Sequence, residues 1–484
     1  MKLLETMKTF RRGGIHPPEM KITAGSPIVA AGLPVEAVIS LGQHIGAPAQ
    51  VQVKPGDSVQ VGSLLGAAPG LISANVHSSV SGKVKKIEPR MDASGYPRPA
   101  VVIAVEGDQL LPELAESLGV SQALESPQNT EEQEASESGP DPEWGDWLRD
   151  KPLRREITMS PEEIREALKG AGIVGMGGAT FPTNVKYMVP PGKTAEYLII
   201  NAVECEPYLT ADHRTMLEFP HEVLTGIEIL RRTLGVETAW IGIEANKPDA
   251  IELMTRLSRE YPGIEVYPLQ VRYPQGAEKQ LIEALTGRQV PSGALPIEVG
   301  CVVNNVGTAQ AAYRAVQFGM PFIQRVVTVT GKGLKNPGNF LVRIGTPIGD
   351  LIEMAGGLPE GPGPVKVILG GPMMGKAVGS LDIPVSKGTS GVLVLQEDEA
   401  VRPPVETCIR CGRCVGVCPM GLEPYLLSQL AGQKRFEEAE ELKIMDCVEC
   451  GSCSYICPSN RDLLDFIRLG KSRIMASRKK GGAK

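Results

Sequence analysis

The run Cys408-Ile409-Arg410-Cys411-Gly412-Arg413-Cys414-Val415-Gly416-Val417-Cys418-Pro419 is written a second time as Cys447-Val448-Glu449-Cys450-Gly451-Ser452-Cys453-Ser454-Tyr455-Ile456-Cys457-Pro458. Both are C-x2-C-x2-C-x3-C-P, the spacing that binds a pair of [4Fe-4S] clusters. Three thiolates two residues apart wrap one cubane, and the fourth lies too far along the turn to join them, so it reaches the other cluster. The assignment is therefore Cys408, Cys411, Cys414 and Cys457 on one centre, and Cys447, Cys450, Cys453 and Cys418 on the second. Structural zinc, the competing chemistry, takes four ligands as two C-x2-C pairs and has no use for the third cysteine or the trailing proline. Between the runs, residues 424–445 are strongly helix-forming, which favours a helical cluster domain over a small β-rich one.

Two clusters side by side carry single electrons, and composition limits what can feed them. At 484 residues the length prior is about three domains, and 42% apolar content is enough for several cores. Eight of the ten cysteines lie in the cluster runs, and Cys205 and Cys301 stand far apart. That argues for a reducing compartment rather than a disulfide framework. No stretch approaches the roughly 18 consecutive apolar residues of a spanning helix, and residues 1–18 have charges and glycines where a signal peptide has its apolar core. The expectation is a soluble, cytoplasmic chain. A net charge of −6 gives no reason to expect nucleic acid. The basic tail through Arg468, Lys471, Arg473, Arg478, Lys479 and Lys480 reads most simply as a solvated end.

Working toward the N-terminus, residues 336–396 are strand-like, with turns at Gly338, Gly345-Thr346-Pro347 and Gly356-Gly357. Before them, from Ser160, helices alternate with apolar strands. Ser160-Pro161-Glu162-Glu163 supplies cap, first-turn proline and acidic residues for a helix. Residues 197–201 and 239–243 read as buried strands, and 221–234 and 247–260 as helices. Such alternation predicts an α/β layer on a largely parallel sheet. Residues 107–151 are acidic and polar (Glu131, Glu132, Glu134, Glu137, Asp141, Glu143), with too little apolar surface to offset ordering. They read as a linker whose end docks Trp144 and Trp147 on a neighbouring surface. Residues 28–106 are short strands broken by Gly and Pro, a small all-β module. Its runs VKPGDSVQVGSLLG and VHSSVSGKVKKIE resemble the barrel-sandwich of biotinyl and lipoyl carriers, but the tip, Pro69 to Asn75, has no acceptor lysine.

The second strong signal is Gly175-Met176-Gly177-Gly178-Ala179-Thr180-Phe181-Pro182-Thr183-Asn184-Val185-Lys186. Its glycines let the backbone approach a ligand closely and turn amides toward a phosphate or ring. Three polar islands support it: Asn201-Ala202-Val203-Glu204-Cys205-Glu206-Pro207 after one strand, Gly276-Ala277-Glu278-Lys279-Gln280 opening a helix, and Asn304-Asn305-Val306-Gly307-Thr308 after another strand. Strand ends are where α/β sheets bind ligands.

In this order the motifs resemble the NADH- and FMN-binding subunit of respiratory complex I. A fuller resemblance is to the C-subunit family of Rnf electron-transport complexes, which adds a G-G-x-H-P-P signature (Gly13-Gly14-Ile15-His16-Pro17-Pro18), the carrier-like module, a β-grasp (SLBB) unit and a terminal two-cluster ferredoxin domain. The implied fold class is α/β multidomain: barrel-sandwich module 1–106, acidic linker 107–151, Rossmann-like FMN- and NADH-binding domain 152–335, SLBB β-grasp domain 336–400, α-helical ferredoxin domain 401–475 and basic tail 476–484.

The resemblance implies that Gly175, Gly177, Gly178, Lys186, Asn201, Glu204, Gly276, Glu278, Asn304, Asn305 and Thr308 surround FMN, with Lys186 and Glu204 as the catalytic pair. Lys186 would stabilise the reduced, anionic ring. Phe181 and Glu206 would contact the nicotinamide nucleotide, and Lys279 is a candidate for holding a phosphate. Val203 and Ala277 stand where complex I has acidic residues, leaving a less acidic pocket. The implied reaction passes hydride from nicotinamide C4 to flavin N5, then single electrons to the clusters, or the reverse. The implied setting is the cytoplasmic face of the cell membrane, as a peripheral subunit beside membrane-embedded and ferredoxin-facing partners that couple electron flow to Na+ or H+ translocation. A flavin and iron-sulfur cobalamin reductase has related modules but places the cluster domain before the β-grasp unit. A non-catalytic iron-sulfur adaptor that has lost flavin would not need Lys186, Glu204 or Asn304-Asn305.

Overall fold

A computed structural model describes residues 7–120, 146–359, 361 and 363–481. The described residues form four sheets, the helices packed on them and a helical C-terminal unit. The N-terminal module pairs a four-stranded antiparallel sheet, in the order Glu36–Ser40, Pro97–Gly107, Ser81–Met91, Ser58–Val59, with a three-stranded one of Gln50–Val51, Leu64–Ala67 and Val76–His77. Alternate residues Ala37, Ile39, Val101 and Ile103 meet Leu65 and Val76 in its core. The opposite face is also dry, because Val38, Ala100 and Val102 form a second small cluster. There the Val38 N–H donates to the Gly345 carbonyl of the β-grasp unit at 2.9 Å, which is why this strand pair lacks a polar face.

The carrier-like tip is pinned down. Ser73 Oγ donates to the Ala47 carbonyl at 2.9 Å, and Asn75 Oδ1 accepts from Ala68 N–H at 3.0 Å. With no lysine from Pro69 to Asn75 and no free hairpin, intact mass of chain made in a biotinylating and lipoylating host should show neither adduct. A biotinyl or lipoyl mass mapped to residues 1–106 would contradict this.

The first residues of the expected linker are folded. Pro112–Leu118 is a helix with Leu114, Ala115 and Leu118 buried in the main core, closed by Gly119 at φ 60°. Leu110, Leu114 and Leu118, four apart, are the stripe that folds it. The acidic stretch from Glu131 to Glu143, and Trp144, lie outside the described residues. Trp147 does dock, with the Arg343 guanidinium 3.9 Å from its ring centre.

The central sheet is wholly parallel, in the order Ile264–Leu269, Thr238–Glu244, Tyr197–Asn201, Cys301–Asn305. Leu198 and Ile200 face helices Pro161–Gly170, Pro220–Leu234 and Val306–Phe318, whereas Ile199 faces helix Glu278–Thr286. The chain adds two strands on one side of Tyr197–Asn201 and then crosses to the other, so the order reverses between Tyr197–Asn201 and Cys301–Asn305. Helix Pro161–Gly170 opens with a complete capping box between Ser160 and Glu163. Ser160→Ala should lower thermal stability by about 1 kcal/mol, read as a shift in the unfolding midpoint.

The β-grasp sheet runs Ile28–Ala30, Gly338–Arg343, Gln324–Thr330, Gly391–Gln396, Val365–Leu369, Lys376–Ala377, with helix Ile348–Met354 packed on it. It starts before the expected residue 336, since Gln324–Thr330 is a central strand. It also recruits Ile28–Ala30 from the N-terminal region as a parallel edge. The C-terminal unit is helical, as expected: Pro424–Gly432 packs on Leu463–Gly481 through Leu427, Leu430, Ala431, Ile467 and Ile474. The basic end is not a free tail. Lys471 Nζ lies 2.7 Å from Glu449 Oε1, Arg468 also pairs with Glu449, and Arg478 pairs with Glu440, because the helix carries them across the cluster domain.

Candidate functional site

The order reversal opens a crevice at the C-terminal ends of Tyr197–Asn201 and Cys301–Asn305, the position where doubly wound sheets bind ligands. Asn201 and Asn305 are the last residues of those strands. The glycine loop closes over it. Gly175 N–H donates to the Phe181 carbonyl at 2.9 Å, and Met176 N–H to Thr308 Oγ1 at 3.0 Å, tying the loop to the first turn of helix Val306–Phe318. Gly177 and Gly178 are exposed. A Cβ on Gly177 would lie 3.3 Å from the Asn305 side chain, and one on Gly178 would meet nothing within 4 Å.

Lys186, at the end of a short helix, donates from Nζ to the Val303 carbonyl at 2.5 Å and lies 3.4 Å from Glu278 Oε1. Asn201 Nδ2 donates to the Gly276 carbonyl at 2.8 Å, drawing the loop before helix Glu278–Thr286 over the strand end. Asn305 Oδ1 caps Gly307 N–H at 2.8 Å while its Nδ2 donates to Asp212 Oδ2 at 2.6 Å. Asp212 is pushed up to about 7, first by burial and then by the Glu204 carboxylate. Asn304 Nδ2 donates to the buried Tyr187 hydroxyl. The structure thus gathers Gly177, Lys186, Asn201, Gly276, Glu278, Asn305 and Thr308 around one crevice.

Three expected site residues have side-chain partners within the chain. The Glu204 carboxylate accepts from Asp212 N–H at 2.8 Å and His213 N–H at 3.2 Å, at the start of helix Ala211–Glu218. Glu206 points toward the β-grasp unit. Its oxygens accept from Met373 N–H at 3.1 Å and Met374 N–H at 2.8 Å, with the Tyr273 hydroxyl 3.4 Å away, and burial pushes it up to about 7. Lys279 reaches the Pro291 carbonyl at 3.3 Å rather than the crevice. Phe181 is half-buried, and its carbonyl closes the loop.

Other residues of the site gave no sequence signal. Lys21 Nζ donates to the carbonyls of Glu204 at 2.7 Å, Glu206 at 2.9 Å and Leu209 at 2.6 Å, and Lys247 Nζ to that of Val203 at 2.7 Å. Burial, with Lys247 next, lowers Lys21 to about 8. A lone lysine in each of two distant segments carries no motif that points to this turn.

In the cluster domain the two runs share one backbone. Arg410 and Glu449, each just before the second cysteine, have φ 53° and 58°, and the glycines that follow, Gly412 and Gly451, have φ 72° and 79°. Short helices Arg413–Gly416 and Ser452–Tyr455 follow. Cys418, Cys447, Cys450 and Cys453 line one apolar cavity with Leu422, Leu464 and Ile467. Burial pushes the Cys447 and Cys453 thiols up to about 12, with Cys418 among the neighbours of both, so cluster binding there must displace protons. Cys414 neighbours Cys457 and Cys411, while Cys408 and Cys411 are exposed. A four-thiol apolar pocket fits a cubane, and the exposed glycines beside Lys186 fit an anionic, phosphate-bearing planar group.

A parallel-sheet crevice with a glycine cradle, joined to a two-run thiol domain, defines a flavin and iron-sulfur electron-transfer protein. Family models agree along the chain: the RnfC barrel sandwich hybrid domain at 8–108, the Nuo51 FMN-binding domain at 168–314, the SLBB domain at 326–377 and the 4Fe-4S dicluster domain at 401–458. The chain is 44% identical over 481 residues to the C subunit of the proton-translocating ferredoxin:NAD(+) oxidoreductase complex of Clostridium ljungdahlii, covering 99% of this chain and 96% of that one. It is 43% identical to the Na(+)-translocating counterpart of Acetobacterium woodii, covering 98% of each. It is 40% identical to the C subunit of the ion-translocating oxidoreductase complex of Rhodobacter capsulatus, covering 98% of this chain and 85% of that one. The chain belongs to the C-subunit family of ion-translocating ferredoxin:NAD(+) oxidoreductase complexes.

Proposed function

We propose that this chain is the NAD(H)-reacting peripheral subunit of an ion-translocating ferredoxin:NAD(+) oxidoreductase complex, passing electrons between NAD(H), FMN and two [4Fe-4S] clusters. The observation that carries the reading is the end-to-end likeness to C-subunit proteins, with flavin and dicluster domains in the same order. FMN supplies the switch between two-electron exchange with a nicotinamide and one-electron exchange with a cluster. Around it, Gly177 and Gly178 leave room for close backbone approach, Thr308 holds the loop, Asn305 caps the helix behind it, and Lys186 brings a positive charge to the rim. The thiols of Cys418, Cys447, Cys450 and Cys453 hold one cluster in a dry pocket, and those of Cys408, Cys411, Cys414 and Cys457 hold the other nearer solvent.

Among the described residues no helix is long and apolar enough to cross a membrane, which supports attachment through partner subunits; the cytoplasmic face is the setting that suits NADH and reduced cysteines. The order of domains speaks against the cobalamin-reductase arrangement, since the thiol runs follow the β-grasp sheet here. Relatives of nearly equal likeness are named for H+ and for Na+, so the chain's likeness does not select the ion.

Chemical analysis of anaerobically purified chain tests the reading. Denaturation should release FMN, iron should approach about eight per chain, and NADH should bleach flavin absorbance before the clusters respond. Iron without flavin would favour the adaptor reading instead.

A further inference from the structure

The Gly13-Gly14-Ile15 segment, part of the N-terminal signature, lies between the flavin domain and the buried cluster site. On one side, Ile15 exchanges backbone hydrogen bonds with Tyr273, N–H to carbonyl at 2.8 Å and the reverse at 2.9 Å. Arg272 donates to the Phe10 carbonyl at 2.8 Å and also to that of Gly13. Thr9 Oγ1 donates to Gln275 Oε1 at 3.0 Å. This loop, 272–276, is the one that Asn201 draws over the crevice through the Gly276 carbonyl. On the other side, Gly14 N–H donates to the Val417 carbonyl at 2.8 Å, next to the crossing ligand Cys418. Ile15 packs with Tyr273, Cys450 and Val417, and the Tyr273 hydroxyl donates to the Cys450 carbonyl at 2.7 Å.

The glycines are needed for closeness. Gly13 and Gly14 have φ 69° and 87°. A Cβ on Gly13 would stand 2.5 Å from the Val417 oxygen and 2.6 Å from the Cys418 carbonyl carbon, both backbone atoms that cannot swing aside. A Cβ on Gly14 would stand 2.7 Å from Arg272 Nε, 2.9 Å from the Phe10 ring and 3.0 Å from the Tyr273 carbonyl oxygen, so this position is crowded from the flavin-domain side.

We propose that Gly13-Gly14-Ile15 is a spacer that fixes the separation between the flavin crevice and the cluster held by Cys418, Cys447, Cys450 and Cys453, with Gly13 as its positioning residue for single-electron transfer. The proposal rests on the function given above. Strap and loop 272–276 form a continuous hydrogen-bonded path from the crevice edge to Val417, and any side chain at Gly13 wedges that path open. The second cluster, with Cys408 and Cys411 exposed, does not meet the strap in any of these contacts.

The test compares Gly13→Ala with Gly192→Ala in the full chain loaded with FMN and iron. Both place alanine at positive φ, 69° and 79°, so backbone strain is matched, but a Cβ on Gly192 meets nothing within 4 Å and only the first pushes on Cys418. In Gly13→Ala, iron and flavin contents and the rate of flavin bleaching by NADH should stay at wild-type values. Cluster reduction after that bleaching should slow severalfold, because single-electron transfer falls off steeply as its two centres move apart. Hydrogen exchange at the Gly14 amide should quicken. Gly192→Ala should keep cluster reduction at the wild-type rate, since its methyl displaces nothing. Should Gly13→Ala fail to fold, Arg272→Lys frees the Phe10 and Gly13 carbonyls without adding volume and should give the same selective slowing. Normal flavin bleaching followed by wild-type cluster reduction in the folded variant overturns the spacer alone. Failure of NADH to bleach flavin in the wild-type chain overturns the function and the spacer together.

Discussion

Cys418→Ala should halve the iron, from about eight to about four atoms per chain, and the centre lost should be the one whose other ligands are Cys447, Cys450 and Cys453. Sequence neighbourhood alone would say the opposite, since Cys418 belongs to the first run. The geometry sides with crossing: Cys418 is buried in the same apolar cavity as the second run's first three cysteines. Its neighbour Leu422 donates an N–H to Cys418 Sγ at 3.3 Å, a contact of the kind that tunes a bound cluster. A cubane with three protein ligands in a dry pocket has no water-accessible replacement for the fourth, so loss should be close to complete. Cys457→Ala should do the reverse and remove the centre of Cys408, Cys411 and Cys414. Cys301→Ala should leave iron unchanged, because Cys301 is buried in a sheet strand and its thiol is pushed up to about 11 by burial. Iron analysis with low-temperature EPR of each variant checks all three. Loss of the Cys408 centre alone in Cys418→Ala would show that each run serves its own cluster.

Much of this fold was legible in local pattern. Strands Tyr197–Asn201 and Thr238–Glu244, helices Pro220–Leu234 and Pro248–Ser258, and the Ser160 cap fall within a residue or two of what period and capping predict, since those signals are carried by adjacent residues. What escaped was long-range. Lys387 reads in sequence as one lysine in a turn, yet it is fully buried, donating to the carbonyls of Asn75 and Gly172 at 2.7 Å each. It joins the carrier-like tip, the β-grasp turn and the loop that leads into the glycine cradle, and burial lowers it to about 7. No periodicity announces such a residue, because its partners lie in two other domains.

The same cause explains the site. Backbone features that make the crevice, the glycine run and the strand-end asparagines, were readable because they are contiguous. The carboxylates were readable as acids but not as to destination. Glu204 and Glu206 differ by two positions, and one caps a helix while the other holds a neighbouring domain. Both carboxylates accept backbone N–H groups from outside their own turn, one pair in helix Ala211–Glu218 and one in the β-grasp unit, and no local pattern names such partners. Helix Pro112–Leu118 was missed for a simpler reason: a short leucine stripe sits beside a long acidic run, and the composition of the whole window outweighs it.

Lys186→Ala should lower the flavin midpoint potential and slow NADH oxidation by at least about tenfold while leaving NADH affinity nearly unchanged. Lys186 is half-buried, and its Nζ is held by the Val303 carbonyl at 2.5 Å and balanced by Glu278 at 3.4 Å. A charge in that setting is less screened than one in water. A ring that gains negative charge on reduction meets it only in the reduced state, so the contact belongs to the electron-accepting step rather than to ground-state binding. A charge-assisted contact of about 1.5–3 kcal/mol corresponds to about 30–65 mV on a two-electron couple. Lys186→Arg should recover part of the potential, and Glu278→Gln, by removing the counter-charge, should raise it. Phe181→Ala should show the complementary split, with weaker NADH binding and a flavin potential close to wild type, because stacking acts on the nucleotide. Redox titration of flavin absorbance beside steady-state kinetics separates the two effects. An unchanged potential in Lys186→Ala, with FMN still bound, would remove Lys186 from the electron-accepting step and leave it as a prop for the Val303 strand end.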